Sequence, residues 1–184
     1  MTRKLKYHEE KLLKKHDFLT WKAAENVREI KILRRYHIQD RQDYVRYNKV
    51  AGLVTALVAK LRLLPIDNAR RITATQQLLD KLFRMGLIDA ASSLAKAEHL
   101  PASSFCRRRL PVILVRLKMA ETMKQAVTYV EQGHVRVGPE CVTDPALLVP
   151  RSVEDFVTWV DSSKIKRATK QYNDQLDDYE LLGL

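Results

Sequence analysis

The side chains in this chain best suited to chemistry are cations at the starts and turns of its second half. Arg107, Arg108 and Arg109 are consecutive, Arg116, Lys118 and Lys124 follow, and His134 and Arg136 lie in a short alternating run. Such groups neutralise phosphate oxygens, and an arginine fork can meet a phosphate with two hydrogen bonds at once. Leu110, Ile113, Leu114 and Leu117 recur at i, i+3, i+4 and i+7, which predicts a helix buried on one side. Pro111 is tolerated only near its start, so the three arginines fall at the positive end of the helix dipole. Exposed cations there destabilise by roughly 0.3–1 kcal/mol each, and an incoming phosphate reverses that sign. The plainer reading is a solvated helix start.

Catalytic chemistry finds no such support. His8, His16, His37, His99 and His134 show no metal-ligand spacing, and no Gly-rich phosphate loop precedes a helix. Cys106 and Cys141 form neither a metal-binding spacing nor a disulfide framework, which fits a reducing compartment. Cys106 is expected to be a small buried apolar residue; if it were exposed, the adjacent arginines would depress its pKa. His134 by itself could act as a base, but beside Arg136 it is better suited to a phosphate or a base edge. No catalytic residue, metal or cofactor is assigned.

Several elements must position these cations. Thr122 and Gln125 make a capping box, so a second helix starts near Met123, exposes Lys124 in its first turn and closes at Gly133. The period then alternates, with His134 out, Val135 in, Arg136 out and Val137 in. Gly138-Pro139 turns the chain toward a second strand at Cys141-Val142. Arg109, Lys118, Lys124, His134 and Arg136 are expected to converge on one surface. Phe156, Val157 and Trp159 are expected to close the small sheet, a base-stacking platform being the other reading of Trp159.

Upstream, residues 1–20 read as a basic arm with sparse apolar positions (Leu5, Leu12, Leu13, Phe18, Leu19) that becomes helical only on a partner. An amphipathic helix is predicted from Trp21 to about Tyr36. A longer one runs from Arg41 to Leu64, with Tyr44, Tyr47, Val50, Val54, Leu57, Val58 and Leu61 on its apolar face and Pro65 as its stop. A further helix spans roughly Ile72 to Met85, with Gly86 as a left-handed cap, and a short one lies around Ala90 to Ala97. The polar Pro101-Ala-Ser-Ser cluster marks a boundary. The expected fold is mostly α with a small α+β module containing a short antiparallel sheet. Its regions are a basic helical 1–103, an RNA-binding module at 104–160, and a tail at 161–184.

Charge supports a polyanionic partner. The 184 residues carry a net +11, unevenly spread: 18 Lys/Arg against 8 Asp/Glu in residues 1–75, and 5 against none in 105–120. From 171 onward there are 4 acids and no basic residue; this tail, with Leu176, Tyr179, Leu181 and Leu182 among its acids, is either disordered or a docking segment for a basic partner. No apolar run approaches a bilayer span, and the basic start lacks the apolar stretch of a secretory signal, so no membrane partner is expected.

The order of helix, capped helix and GHVRVG resembles the RNA-binding domain named after the fourth small-subunit ribosomal protein, the S-four domain. Arg109-Leu110, Thr122, Gly133, Val135, Val137 and Pro145 match its pattern. Met123 stands where a basic residue is usual, with Lys124 one place on, and Gly138-Pro139 replaces Asn-Gly. The flanks MTRKLKYHEEKLLKKHDFLTWK, RRYHIQDRQDYVRYNKVAG, SSFCRRRLPVIL and EDFVTWVDSSKIKR resemble the U-three small nucleolar ribonucleoprotein protein three family over nearly the whole chain. The resemblance implies a nucleolar, non-catalytic component of the small-subunit processome that helps U-three RNA pair with pre-ribosomal RNA. It further implies work alongside the Mpp-ten scaffold protein. A structural ribosomal protein and a protein-interaction adaptor are the rival readings.

Overall fold

The computed structural model describes residues 3–15 and 23–175, and the chain forms two compact units, Met1–Arg35 and Tyr36–Leu184. Phe18, Leu19 and Trp21, and the tail positions Leu176, Tyr179, Leu181 and Leu182, lie outside the described residues.

The first unit holds α1 (Tyr7–Lys15) and α2 (Ala23–Arg35). α1 lies within the basic arm expected to become helical only on a partner, and it buries none of its residues. Glu9 accepts from the Lys6 backbone N–H at 2.9 Å and from Arg3 at 2.5 Å, while Lys14 and Lys15 occupy the last turn. Acids at the start and cations at the end both suit the helix dipole.

In the second unit, α3 (Arg41–Leu63) stops at Leu64, whose extended backbone is what the following Pro65 requires. α4 (Ala69–Arg84) is capped by the Asn68 side chain, which accepts from the Arg70 backbone N–H. Short helices α5 (Leu94–Glu98) and α6 (Ala102–Cys106) pack on α3. α3 buries Tyr47, Ala51, Val58 and Leu61. Val50 and Leu57, expected in that core, are instead exposed along with Leu53. The reason is angular: at 100° per residue they lie to one side of the Tyr47–Val58 line, away from the centre of the buried stripe. The Pro101–Ser104 cluster, read as a boundary, leads into α6, whose Phe105 stacks on Tyr47 with centroids 5.8 Å apart.

α7 (Leu110–Arg116) and α8 (Met123–Glu131) pack together over a three-stranded antiparallel sheet in the order β2-β1-β3. The strands are β1 (Val135–Val137), β2 (Glu140–Cys141) and β3 (Val157–Trp159), with Arg136 opposite both Cys141 and Thr158. A two-residue Gly138-Pro139 turn joins β1 to β2, as expected. Leu110, Ile113, Leu114, Val130, Val135 and Val149 form the solvent-free core beneath them. Phe156 is exposed in the 3₁₀ turn Arg151–Phe156, so β3 closes the sheet with Val157 and Trp159 only. The last helix is α9 (Lys164–Tyr172). The expected class, mostly helical with a small antiparallel sheet, is the observed one.

Candidate nucleic-acid interface

At the entry to α7, Arg108–Leu110 run alongside Leu147–Val149: the Val149 N–H donates to Arg108 O at 2.8 Å and the Leu110 N–H to Leu147 O at 2.9 Å. An extended stretch sends successive side chains to opposite sides. Arg108 thus reaches Val149, whose carbonyl oxygen accepts from Nε and Nη2 at 2.9 and 2.6 Å, and Glu154 of the 3₁₀ turn, whose Oε2 accepts from Nη1 and Nη2 at 3.1 Å. Arg109 reaches α3, donating to Asp43 Oδ2 at 2.9 Å and to the Tyr47 hydroxyl at 3.1 Å. Only 4% and 3% of these two residues is exposed. The expectation of three solvent-facing arginines is corrected for Arg108 and Arg109. Anions do answer the cations there, but they are the protein's own Glu154 and Asp43, 46 and 66 residues away.

The other expected contacts fall into three groups. Arg107 is exposed, with Nε donating to the Tyr36 hydroxyl at 3.4 Å, and Arg116 is mostly exposed while pairing with the second oxygen of Glu154. With buried Arg108 they line one cleft of about 870 Å³, together with Arg151, Lys96 and His99. Burial depresses the Arg108 guanidinium's pKa, and the neighbouring charge of Arg151 adds to the effect; burial, Arg108 and Arg151 do the same to Arg116.

The second group sits at the α7–α8 connection. α7 ends in a Schellman closure, Met119 N–H to Leu114 O at 2.9 Å and Lys118 N–H to Val115 O at 3.2 Å, with Lys118 at φ 58. The same closure ends α4, α8 and α9, with Gly86, Gly133 and Asp174 in turn as the left-handed residue, so Lys118 is the one cation among the four. Thr122 caps α8 as expected: its hydroxyl accepts from the Gln125 N–H and its own N–H donates to the Gln125 side chain, both at 3.3 Å. Lys118 and Lys124 are exposed, and neither makes an ion pair among the described residues.

The third group lies beside the sheet. His134 Nδ1 is 3.1 Å from the buried Ser163 hydroxyl. Arg136 donates to Thr158 Oγ1 at 3.1 Å and to Asp161 at 2.5 Å. Asp161 also takes a bond from Lys166, which, with Arg136, holds its carboxyl below the usual range. The five residues expected to converge, Arg109, Lys118, Lys124, His134 and Arg136, therefore do not share one surface, since Arg109 is turned inward to α3. Arg151 and Glu154 were missed from the sequence, because their partners are distant and no local pattern marks them.

Comparison with known proteins fits this geometry. The Ribosomal protein S4/S9 N-terminal domain description matches residues 4–107, and the S4 domain description matches 108–155. The chain is 54% identical over 182 residues to the human U3 small nucleolar ribonucleoprotein protein IMP3, covering 98% of this chain and 99% of that one. It is 52% identical over 181 residues to the Saccharomyces cerevisiae protein of the same name, with the same coverage of each. The chain belongs to the IMP3 family. The small ribosomal subunit protein uS4 of Sulfurisphaera tokodaii is more distant, 30% identical over 129 residues, or 67% of this chain and 73% of that one.

The boundaries of the family's two domains give the buried arginines a meaning. Arg108 and Glu154 stand at the two ends of the S4 match and are bonded to each other, so the pair closes that segment on itself. Arg109 belongs to the S4 match and Asp43 to the preceding domain, so that pair joins the two. Among the described residues, no group of three His, Cys, Asp or Glu could hold a metal ion, and no helix is long and apolar enough to cross a membrane.

Proposed function

We propose that this chain is a non-catalytic RNA-binding assembly factor of the small-subunit processome that promotes pairing of the U3 small nucleolar RNA with pre-ribosomal RNA in the nucleolus. RNA binding is assigned to residues 104–160, with 1–103 as the basic helical region and 161–184 as the tail. The observation that carries the reading is the α7–α8 connection. A lysine occupies the left-handed position of a closure that glycine fills in α4 and α8, and with Lys124 it presents charge that no carboxylate of the described chain answers. Backbone strain kept at an exposed cation is a sign of a role for the side chain. Arg107, Arg116, His134 and Arg136 complete the proposed RNA contacts; Thr122 acts by capping α8.

Neutralising the phosphates of two strands together lowers the repulsion that opposes their pairing. With about five phosphate contacts, log affinity falls against log salt with a slope of roughly −3.5 to −4.5. The test is a salt titration with U3 and pre-ribosomal leader RNA, followed by annealing of the two with and without protein. A slope near zero overturns RNA binding, and an unchanged annealing rate overturns the pairing role alone.

The name and near-complete coverage of the IMP3 relatives favour assembly over the rival role of a mature ribosomal protein, for which the uS4 match is partial. Sedimentation decides between them: an assembly factor migrates with precursors and leaves mature subunits. A protein partner, proposed to be the Mpp-ten scaffold, is supported by Leu53, Leu57 and Leu63, which α3 leaves 62%, 44% and 87% exposed.

A further inference from the structure

The cleft beside α7 holds more positive charge than its own acids balance. Five permanent cations, Lys96, Arg107, Arg108, Arg116 and Arg151, line it against the three carboxylates of Asp89, Glu154 and Asp155. Glu154 is already shared, one oxygen to Arg108 and the other to Arg116. Arg151 is fixed from behind, by a bond from Nη2 to Ile88 O at 2.9 Å and by the Phe83 ring 4.5 Å from its guanidinium carbon. Arg107 is tethered through Nε to Tyr36. Each of Arg107, Arg116 and Arg151 therefore has part of its fork anchored and further N–H donors left over. Like charges held close without enough counter-charge are costly, and an anion of matching shape relieves that cost.

We infer that this cleft is a phosphodiester site, in which Arg107, Arg116 and Arg151 grip the backbone of an unpaired, sharply turned RNA segment. The inference rests on the RNA-binding reading above and adds the class of RNA. A volume of about 870 Å³ lies within the roughly 300–1,000 Å³ range of small-ligand sites. It is more room than one phosphate needs and enough for a nucleotide with it. The phosphates of an A-form duplex follow a regular outer surface, so they do not turn into a concave site, whereas loops and bulges can be splayed out. Leu87, Ile88, Leu100 and Pro101 give the same cleft apolar wall for a sugar or base.

The experiment measures affinity of the full chain for a single-stranded 12-nucleotide RNA and for a duplex of equal length, at several salt concentrations. The proteins compared are the wild type, R107Q, R151K, R151Q, the double variant R107Q/R151Q and K124Q. R107Q with R151Q is expected to weaken single-strand binding about tenfold and duplex binding less than twofold, and to flatten the single-strand salt slope by about 0.7–1.4. K124Q, outside the cleft, is expected to weaken both alike. Should R151Q fail to fold by circular dichroism, R107Q alone, which alters an exposed side chain, and the charge-retaining R151K carry the comparison. Wild-type binding that the cleft variants leave unchanged, or equal losses for both RNAs, overturns the cleft while leaving RNA binding in place. A wild type that binds neither RNA overturns RNA binding itself. A third arm follows the arginine Nε–H resonances on adding inorganic phosphate. If millimolar phosphate shifts those of Arg107 and Arg151 and displaces the single strand, the ligand is a free anion and the RNA assignment falls.

Discussion

Arg109, at the start of α7, and Asp43, in the first turn of α3, meet at 2.9 Å with 3% and 15% of their side chains exposed. The Tyr47 hydroxyl completes the arginine's environment, and burial raises that tyrosine's pKa despite the cation beside it. Removing one partner of a buried pair costs about 3–5 kcal/mol, because the other charge stays buried and unanswered. Asp43→Ala is therefore expected to lower the urea midpoint strongly. The double variant D43L/R109M should recover much of the loss. A D43A variant within 1 kcal/mol of wild type (about the value of one ordinary hydrogen bond) would show the pair to be dispensable.

Gly86 makes a sharper prediction. It sits at φ +73, and a Cβ there would lie 2.9 Å from both Cζ and Nε of the buried Arg108. The left-handed backbone alone costs a non-glycine residue roughly 1–2 kcal/mol, and displacing a guanidinium bonded to Glu154 and Val149 adds to it. Gly86→Ala should thus destabilise by more than about 2 kcal/mol. Gly52→Ala is the matched control. It lies mid-helix in α3 with open space around it and should stabilise by about 0.5–1 kcal/mol. Thermal melts of the two variants are expected to move in opposite directions.

The two thiols should behave differently toward an alkylating reagent. Cys106 is fully buried, donates to Ala102 O at 3.3 Å, and has its pKa pushed up to about 11 by burial; Cys141 is exposed. The native protein is expected to take one label, at Cys141, and the unfolded protein two. Because the folded Cys106 thiol holds its proton more tightly than the unfolded one, its contribution to stability is intact below about pH 9. It is lost as pH rises from there through about 11. A native-state mass shift of two labels at neutral pH would contradict the burial.

Lys118 trades stability for charge. With φ 58 in the closure of α7, it should be improved as a folding residue by glycine, and Lys118→Gly is expected to gain about 1 kcal/mol. The same change should weaken RNA binding and reduce the salt slope by about 0.7–0.9. A variant that is more stable with RNA affinity intact would remove Lys118 from the interface.

Local signals in the sequence located α2, α3, α4, α7 and α8, but not α6, read as a boundary, or α9, read as tail. The capping box of Thr122, the stop at Pro65 and the left-handed Gly86 depend on neighbours within a few residues, and each lies where it was expected. The expected hairpin of β1 and β2 is present for the same reason. What local windows missed was long-range pairing. The run Arg107–Arg109 reads as one exposed basic patch because its counter-ions lie in α3 and in the 3₁₀ turn, beyond any helical period. Val50 and Leu57 satisfy the three-and-four spacing but belong to the edge of a stripe whose centre passes through Tyr47 and Val58. Periodicity tells that a face exists; it does not tell how wide the covering element is.

The Arg109–Asp43 link also bears on when the chain can fold. The two residues are 66 apart, which at about 5–20 residues per second is roughly 3–13 s of synthesis. Arg108 then waits for Glu154, a further 46 residues on, for roughly 2–9 s more. Until residue 105 is made, Tyr47 lacks the ring of Phe105 that stacks on it. The second unit therefore cannot close fully before Glu154 has been made, and until then the Arg108 guanidinium lacks its carboxylate.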